Sequence, residues 1–191
     1  MQRIALVGLM GSGKTTVGWP LAQLLGWNYR DNDRELFARF GATAAQLADR
    51  TGLKAVHAAE AAVLLDLLAE DEHAVISAAA STIESAACRR ALRERAFVVW
   101  LRAEPDTLSE RATTGAGRPW EDDIGAQLRA QASRRYPFLH RLADLTVDTT
   151  RLDPGRDAEW IAMAFRRQNG RVRRDPGPQV PGRSGPFRQS F

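Results

Sequence analysis

The chain has 191 residues, 44% hydrophobic and 26% charged, which suits one domain built on a single core. Its net charge of +4 comes from one end: residues 166–191 carry seven Arg and one Asp, which leaves residues 1–165 at −2, the reverse of a nucleic-acid-binding body. No apolar run nears the ~20 residues of a membrane span. The lone Cys88 rules out an intrachain disulfide, and scattered His57, His73 and His140 argue against a zinc site.

Met1 leads straight into an apolar segment without a signal peptide, so a cytoplasmic location is expected. Residues 2–7 read as a buried first strand. A glycine loop follows, then a helix from about Lys14 to Leu25 closed by Gly26 as its C-cap. Trp27–Asp31 is a short second strand. Residues 33–68 are helical and alanine-rich, interrupted near Gly41 and Gly52. The remaining strands are His73–Ser77, Ala96–Leu101 and Asp144–Asp148. Helices are expected over about 84–94, 104–112, 122–135 and 155–167. This alternation predicts an α/β fold, a parallel sheet covered on both faces. Residues 113–121 are glycine-rich, a loop by composition and a candidate lid. A single folded domain is thus expected over 1–167. Residues 168–191, with four Gly and four Pro, read as a basic disordered tail that aids solubility, with contact to nucleic acid or an acidic partner as the alternative.

Gly8-x4-Gly13-Lys14-Thr15 is a complete Walker A pattern, set after an apolar strand and opening a helix. Glycines at this spacing let backbone N–H groups turn inward around a phosphate, and the helix N-terminus adds positive potential. Lys14 is placed to reach the β- and γ-phosphates of a nucleoside triphosphate, and the Thr15 hydroxyl to ligate Mg²⁺. The Asn-Lys-x-Asp that reads guanine is missing from the chain. The third strand ends in Val75-Ile76-Ser77 without the usual Walker B aspartate, and the acidic pair lies instead on the second strand, as Asp31-Asn32-Asp33.

Gly8 to Gly18, including Met10 and the trailing Thr16-Val17-Gly18, resembles the phosphate loop of the shikimate kinases. Leu25-Gly26, Asp31-x-Asp33, Glu110-Arg111, Arg118-Pro119, Arg135-x-Pro137 and Ala143-Asp144 continue the match in order, over roughly residues 2–165. The resemblance implies a P-loop NTPase three-layer sandwich, a five-stranded parallel sheet flanked by helices, with a small lid. It implies ATP as donor, Mg²⁺, and a small hydroxylated acceptor, shikimate being the best-named one. A nucleotide would meet Gly11, Ser12, Gly13, Lys14, Thr15, Thr16, Arg111, Arg118 and Pro154. Mg²⁺ would meet Thr15 and Asp31. The acceptor would meet Asp33, His57, Ala79 and Arg135, with Lys14, Asp33 and Arg118 catalytic. A monomer without membrane contact is expected. On residue chemistry alone Asp33 also suits a helix N-cap, Arg118 a charged loop position, Arg135 a helix C-terminus, and His57 a solvated helix face.

Two departures fall on the acceptor side. Ala78-Ala79-Ala80 stand where the family has Gly-Gly-Gly, and strain of about 1–2 kcal/mol is expected wherever one of those positions needs a positive φ. His57 stands where the family has an arginine that binds the substrate carboxylate, and Glu60 is placed to hold it at i,i+3 spacing. Three readings follow: a shikimate kinase with a tolerant pocket, a kinase of the same fold for another hydroxylated acid, cyclitol or metabolite, and a nucleotide-binding regulatory module without phosphotransfer.

Overall fold

The computed structural model describes residues 2–114 and 123–172. Residues 115–122 and 173–191, which hold most of the lid expected at 113–121 (Arg118 included) and of the tail expected at 168–191, lie outside the described residues. The elements are β1 (Arg3–Val7), α1 (Lys14–Leu25), β2 (Asn28–Asp31), α2 (Asn32–Phe40), α3 (Ala44–Thr51), α4 (Leu53–Ala69), β3 (Ala74–Ser77), a 3-10 turn (Thr82–Glu84), α5 (Ala86–Arg95), β4 (Phe97–Arg102), α6 (Pro105–Thr114), α7 (Ile124–Leu142), β5 (Leu145–Asp148) and α8 (Pro154–Val172).

The five strands form one parallel sheet in the order β2-β3-β1-β4-β5. β1, β3 and most of β4 are buried on both faces, which explains their continuous apolar runs. The period-2 alternation splits their side chains between two cores. Ile4, Leu6, Val75, Phe97 and Val99 pack beneath α1 and α8 with Val17, Leu21, Ile161 and Phe165. Ala5, Val7, Ile76, Val98 and Trp100 pack on the other face with Leu36, Leu64, Leu67, Leu92 and Leu139 from α2, α4, α5 and α7. No described helix is long and apolar enough to cross a membrane.

Local signals explain most boundaries. Gly26 and Gly41 close α1 and α2 in the left-handed conformation that glycine adopts without penalty. Thr43 and Gln46 form a reciprocal capping box on α3. Two helices outrun their expected ends. α7 continues through Pro137 to Leu142, so Arg135 sits within the helix rather than at its C-terminus. α8 continues past 167 to Val172. Most of its apolar residues face the sheet through Ala158, Ile161, Ala162 and Phe165, and that packing carries the helix into the basic stretch.

Candidate active site

The carboxyl ends of β1, β2 and β3 converge on one edge of the sheet, and the candidate residues gather there. After β1 the chain makes the phosphate loop. Gly8, Gly11 and Gly13 have φ of 151°, 78° and 90°. A Cβ on Gly8 would lie 2.5 Å from the Leu101 carbonyl oxygen, and one on Gly11 2.8 Å from that of Leu108, so side chains are excluded by contact as well as by torsion. Gly13 is the N-cap of α1, and Val17 N–H donates to its carbonyl at 2.9 Å. Lys14 Nζ donates back to the Gly8 and Leu9 carbonyls at 2.9 and 3.0 Å.

The loop is braced from the β5 end of the sheet. Thr149 Oγ1 donates to the Ser12 carbonyl at 3.0 Å. Arg111 on α6 donates to the Gly11 carbonyl at 3.4 Å and to those of Thr149 and Thr150 at 2.9 and 3.1 Å. Leu152 packs where a Gly13 Cβ would sit, 3.1 Å away, and Pro154 opens α8 two residues later. Thr149 and Leu152 therefore meet the same loop as Arg111. Thr149 is a buried brace that no local motif marks.

On β2, Asp31 caps α2 by accepting from the Asp33 N–H at 3.0 Å. Asp31, and not Asp33, is thus the N-cap; Asp33 stands exposed in the first turn. The other Asp31 oxygen, Oδ2, accepts from Thr15 Oγ1 at 3.2 Å and from the Tyr29 hydroxyl at 2.9 Å. Tyr29 also shares a 2.8 Å hydrogen bond with Ser77 Oγ, which pairs with Asp31 in the β2–β3 register. Burial pushes the Tyr29 hydroxyl up to about 12, with Asp31's charge adding and the Ser77 hydrogen bond opposing. The position where a Walker B acid is usual is thus a serine linked through Tyr29 to Asp31. The period-2 rule places Tyr29 on the same face as Asp31, a signal that was available in the sequence.

Ala78 follows β3 and donates its N–H to the Leu6 carbonyl at 3.0 Å. Ala79 accepts from the Thr82 N–H and hydroxyl at 3.1 and 2.7 Å. Asp123 is the one non-glycine residue with positive φ among the described residues, so Ala78–Ala80 carry none of the expected backbone strain. Glu60, 7% exposed, accepts a short hydrogen bond from Ser81, the partner it takes in place of His57. Burial pushes its carboxyl up, against the Ser81 hydrogen bond. His57 is half-buried, and its charge acts on both Glu60 and Glu84. Arg135 is 4% exposed, its Nε donating to Glu84 Oε1 at 2.6 Å and its Nη1 to Gln131 Oε1 at 2.7 Å. His57, Glu60 and Arg135 thus lie close together, and Asp33's charge reaches Glu60.

The family model for shikimate kinase matches residues 10–166. The shikimate kinase of Symbiobacterium thermophilum is 41% identical over 154 residues, covering 78% of this chain and 87% of the relative. That of Chromobacterium violaceum is 36% identical over 147 residues, covering 76% and 79%. The solved shikimate kinase from Acinetobacter baumannii, in complex with shikimate, superposes with a TM-score of 0.82 at 29% identity, covering 88% of this chain and 94% of that one. The expected sandwich and parallel sheet are those of these proteins, and the chain belongs to the shikimate kinase family.

Proposed function

We propose that this chain transfers the γ-phosphoryl group of ATP to a hydroxyl of shikimate, giving shikimate 3-phosphate and ADP. The observation that carries this reading is the 3.2 Å contact between Thr15 Oγ1 and Asp31 Oδ2. It joins the phosphate loop to the acidic pair that flanks the acceptor site.

Backbone N–H groups of Gly11 to Thr16 and the positive end of α1 bind the β-phosphate. Lys14 exchanges its two carbonyl partners for phosphate oxygens, a like-for-like replacement of acceptors on an ammonium. Thr15 and Asp31 offer a hydroxyl and a carboxylate oxygen, the donor set a hard cation takes, and would hold Mg²⁺. When bound, that ion supplies charge neutralisation at the phosphate oxygens. Asp33, exposed at the start of α2, orients the acceptor hydroxyl and accepts its proton as the new O–P bond forms and the bond to ADP breaks. Arg111, Thr149 and Pro154 support the nucleotide side, and Arg118 would approach the phosphates from the segment beyond α6. His57, Ala79 and Arg135 line the acceptor side, where Arg135 faces the acceptor's carboxylate.

ADP release with and without shikimate, with mass analysis of the product, tests the reading. Shikimate-dependent ADP release and a phosphorylated product are expected. Asp33→Asn should lower kcat by about a hundredfold or more while ATP still binds. ATP hydrolysis that shikimate leaves unchanged would overturn it.

A further inference from the structure

We propose that Glu84 is a specificity-determining residue, a carboxylate of the chain itself that competes with the acceptor's carboxylate for Arg135 and so shifts this pocket's preference toward neutral polyols. The inference rests on the acceptor-side reading of Arg135 given above. A guanidinium receives a carboxylate through two neighbouring N–H groups on one edge of its plane. Arg135 has one N–H engaged on each of its two forks: Nε by Glu84 and Nη1 by Gln131. An acid that grips both N–H groups of either fork must displace an existing partner, and the Glu84 contact is a charge-assisted one at 2.6 Å.

Glu84 is held in this position by built structure. It ends the 3-10 turn that follows Ala78–Ala80. Arg89 Nη1 donates to the Ile83 and Glu84 carbonyls, each at 2.8 Å, and its guanidinium lies 4.2 Å from the ring centroid of Phe138. Phe138 is on α7, the helix that carries Arg135. Arg89, from α5, thus fixes the turn against α7, the helix whose Arg135 Glu84 engages. Burial pushes the Glu84 carboxyl up, yet the Arg135 hydrogen bond and charge outweigh it, with Arg134 and His57 adding, and hold it below the usual range. Among the described residues, the acceptor side sets Asp33, Glu60 and Glu84 against Arg134, Arg135 and a half-buried His57, which leaves little positive charge over for an anion. A cyclic polyol without a carboxylate loses nothing to Glu84.

The test uses the full chain, with shikimate and its neutral methyl ester as acceptors. Wild-type kcat/KM should differ between the two by less than about tenfold. Glu84→Gln should raise the shikimate-to-ester ratio about tenfold, the size expected of one charge-assisted hydrogen bond. The change should appear in the KM for shikimate, with kcat and the ester's constants within twofold. Glu84→Asp keeps the charge but withdraws it by a methylene, and should move the ratio the same way by less; it decides the matter if Glu84→Gln fails to fold. A ratio unchanged in both variants, or a shift shared by both acceptors, overturns the role of Glu84 while leaving the kinase reading standing. Turnover of neither acceptor by any form overturns the kinase reading, and this inference with it.

Discussion

Tyr29 shows how one hydroxyl organises the edge between donor and acceptor. It donates to Asp31 and shares a hydrogen bond with Ser77, so Asp31 is held by Tyr29, by Thr15 and by the cap it makes on α2. Tyr29→Phe removes the bridge and leaves Ser77 short of a partner, a loss of about 0.5–1.5 kcal/mol. The pH dependence of that loss is specific. In the folded chain the hydroxyl titrates near 12 instead of its ordinary 10.0. Between these values the unfolded chain has released the proton and the folded chain keeps it, so stability falls as pH rises. Below pH 10 the contribution is intact. Urea midpoints of wild type and Tyr29→Phe should therefore differ by a constant amount from pH 7 to about 9.5. The gap should narrow above pH 10; curves that stay parallel to pH 11.5 would refute the assignment.

Helix α1 offers two alanine substitutions of opposite sign. Pro20 lies inside it, where proline removes an i→i−4 hydrogen bond and costs about 3 kcal/mol relative to alanine. Part of that is offset because proline also restricts the unfolded chain. Pro20→Ala should raise stability by about 2 kcal/mol. Gly18 looks like the same opportunity, but a Cβ there would sit 2.4 Å from Tyr29 Cε2 and 3.2 Å from Leu6 Cδ1. Gly18→Ala should lower stability by about 1–3 kcal/mol, as overpacking does, and should weaken nucleotide binding by moving the Tyr29 ring and with it Asp31. Denaturant midpoints and ATP titrations of both variants check this pair. The contrast marks what was legible in the chain. α1 was readable at both ends, because Lys14 follows the glycine loop and Gly26 supplies a left-handed cap. The five strands and their alternation with helices were readable from apolar runs. α7 was expected to stop near Arg135, yet Leu139 and Leu142 pack into the core and outweigh the proline penalty at Pro137. The site divides in the same way. Lys14 and Thr15 follow from local spacing, and Asp31 from the acidic pair on β2 together with the family resemblance. Glu84 meets Arg135 across 51 positions and Tyr29 meets Ser77 across 48, distances over which no local pattern operates.

The proposed site draws on both layers of the molecule: Lys14 and Thr15 come from α1 on one face of the sheet, Arg135 from α7 on the other. A ligand that engages both should suppress openings of either layer, and Cys88 can report them. It is the single cysteine of the chain, fully buried on α5, with its Sγ 3.6 Å from the Ala61 carbonyl. Burial pushes its thiol up, so neither access nor thiolate favours reaction in the folded state. A disulfide reagent should label the native chain at least about a hundredfold more slowly than the urea-unfolded chain, at a rate set by opening. Ligands that bind only the folded form lower the open population by the factor 1 + [L]/Kd, about a hundredfold at a hundred times Kd. Cys88 lies on the face of α7, whereas the phosphate loop lies over α1. If the two layers open together, ATP with magnesium alone slows labelling by that full factor. If the α7 face opens by itself, nucleotide leaves the rate nearly unchanged and only acceptor slows it. The shared sheet, with β1, β3 and β4 contributing side chains to both cores, predicts the first outcome. Labelling rates measured with nucleotide, with shikimate and with both together decide between them.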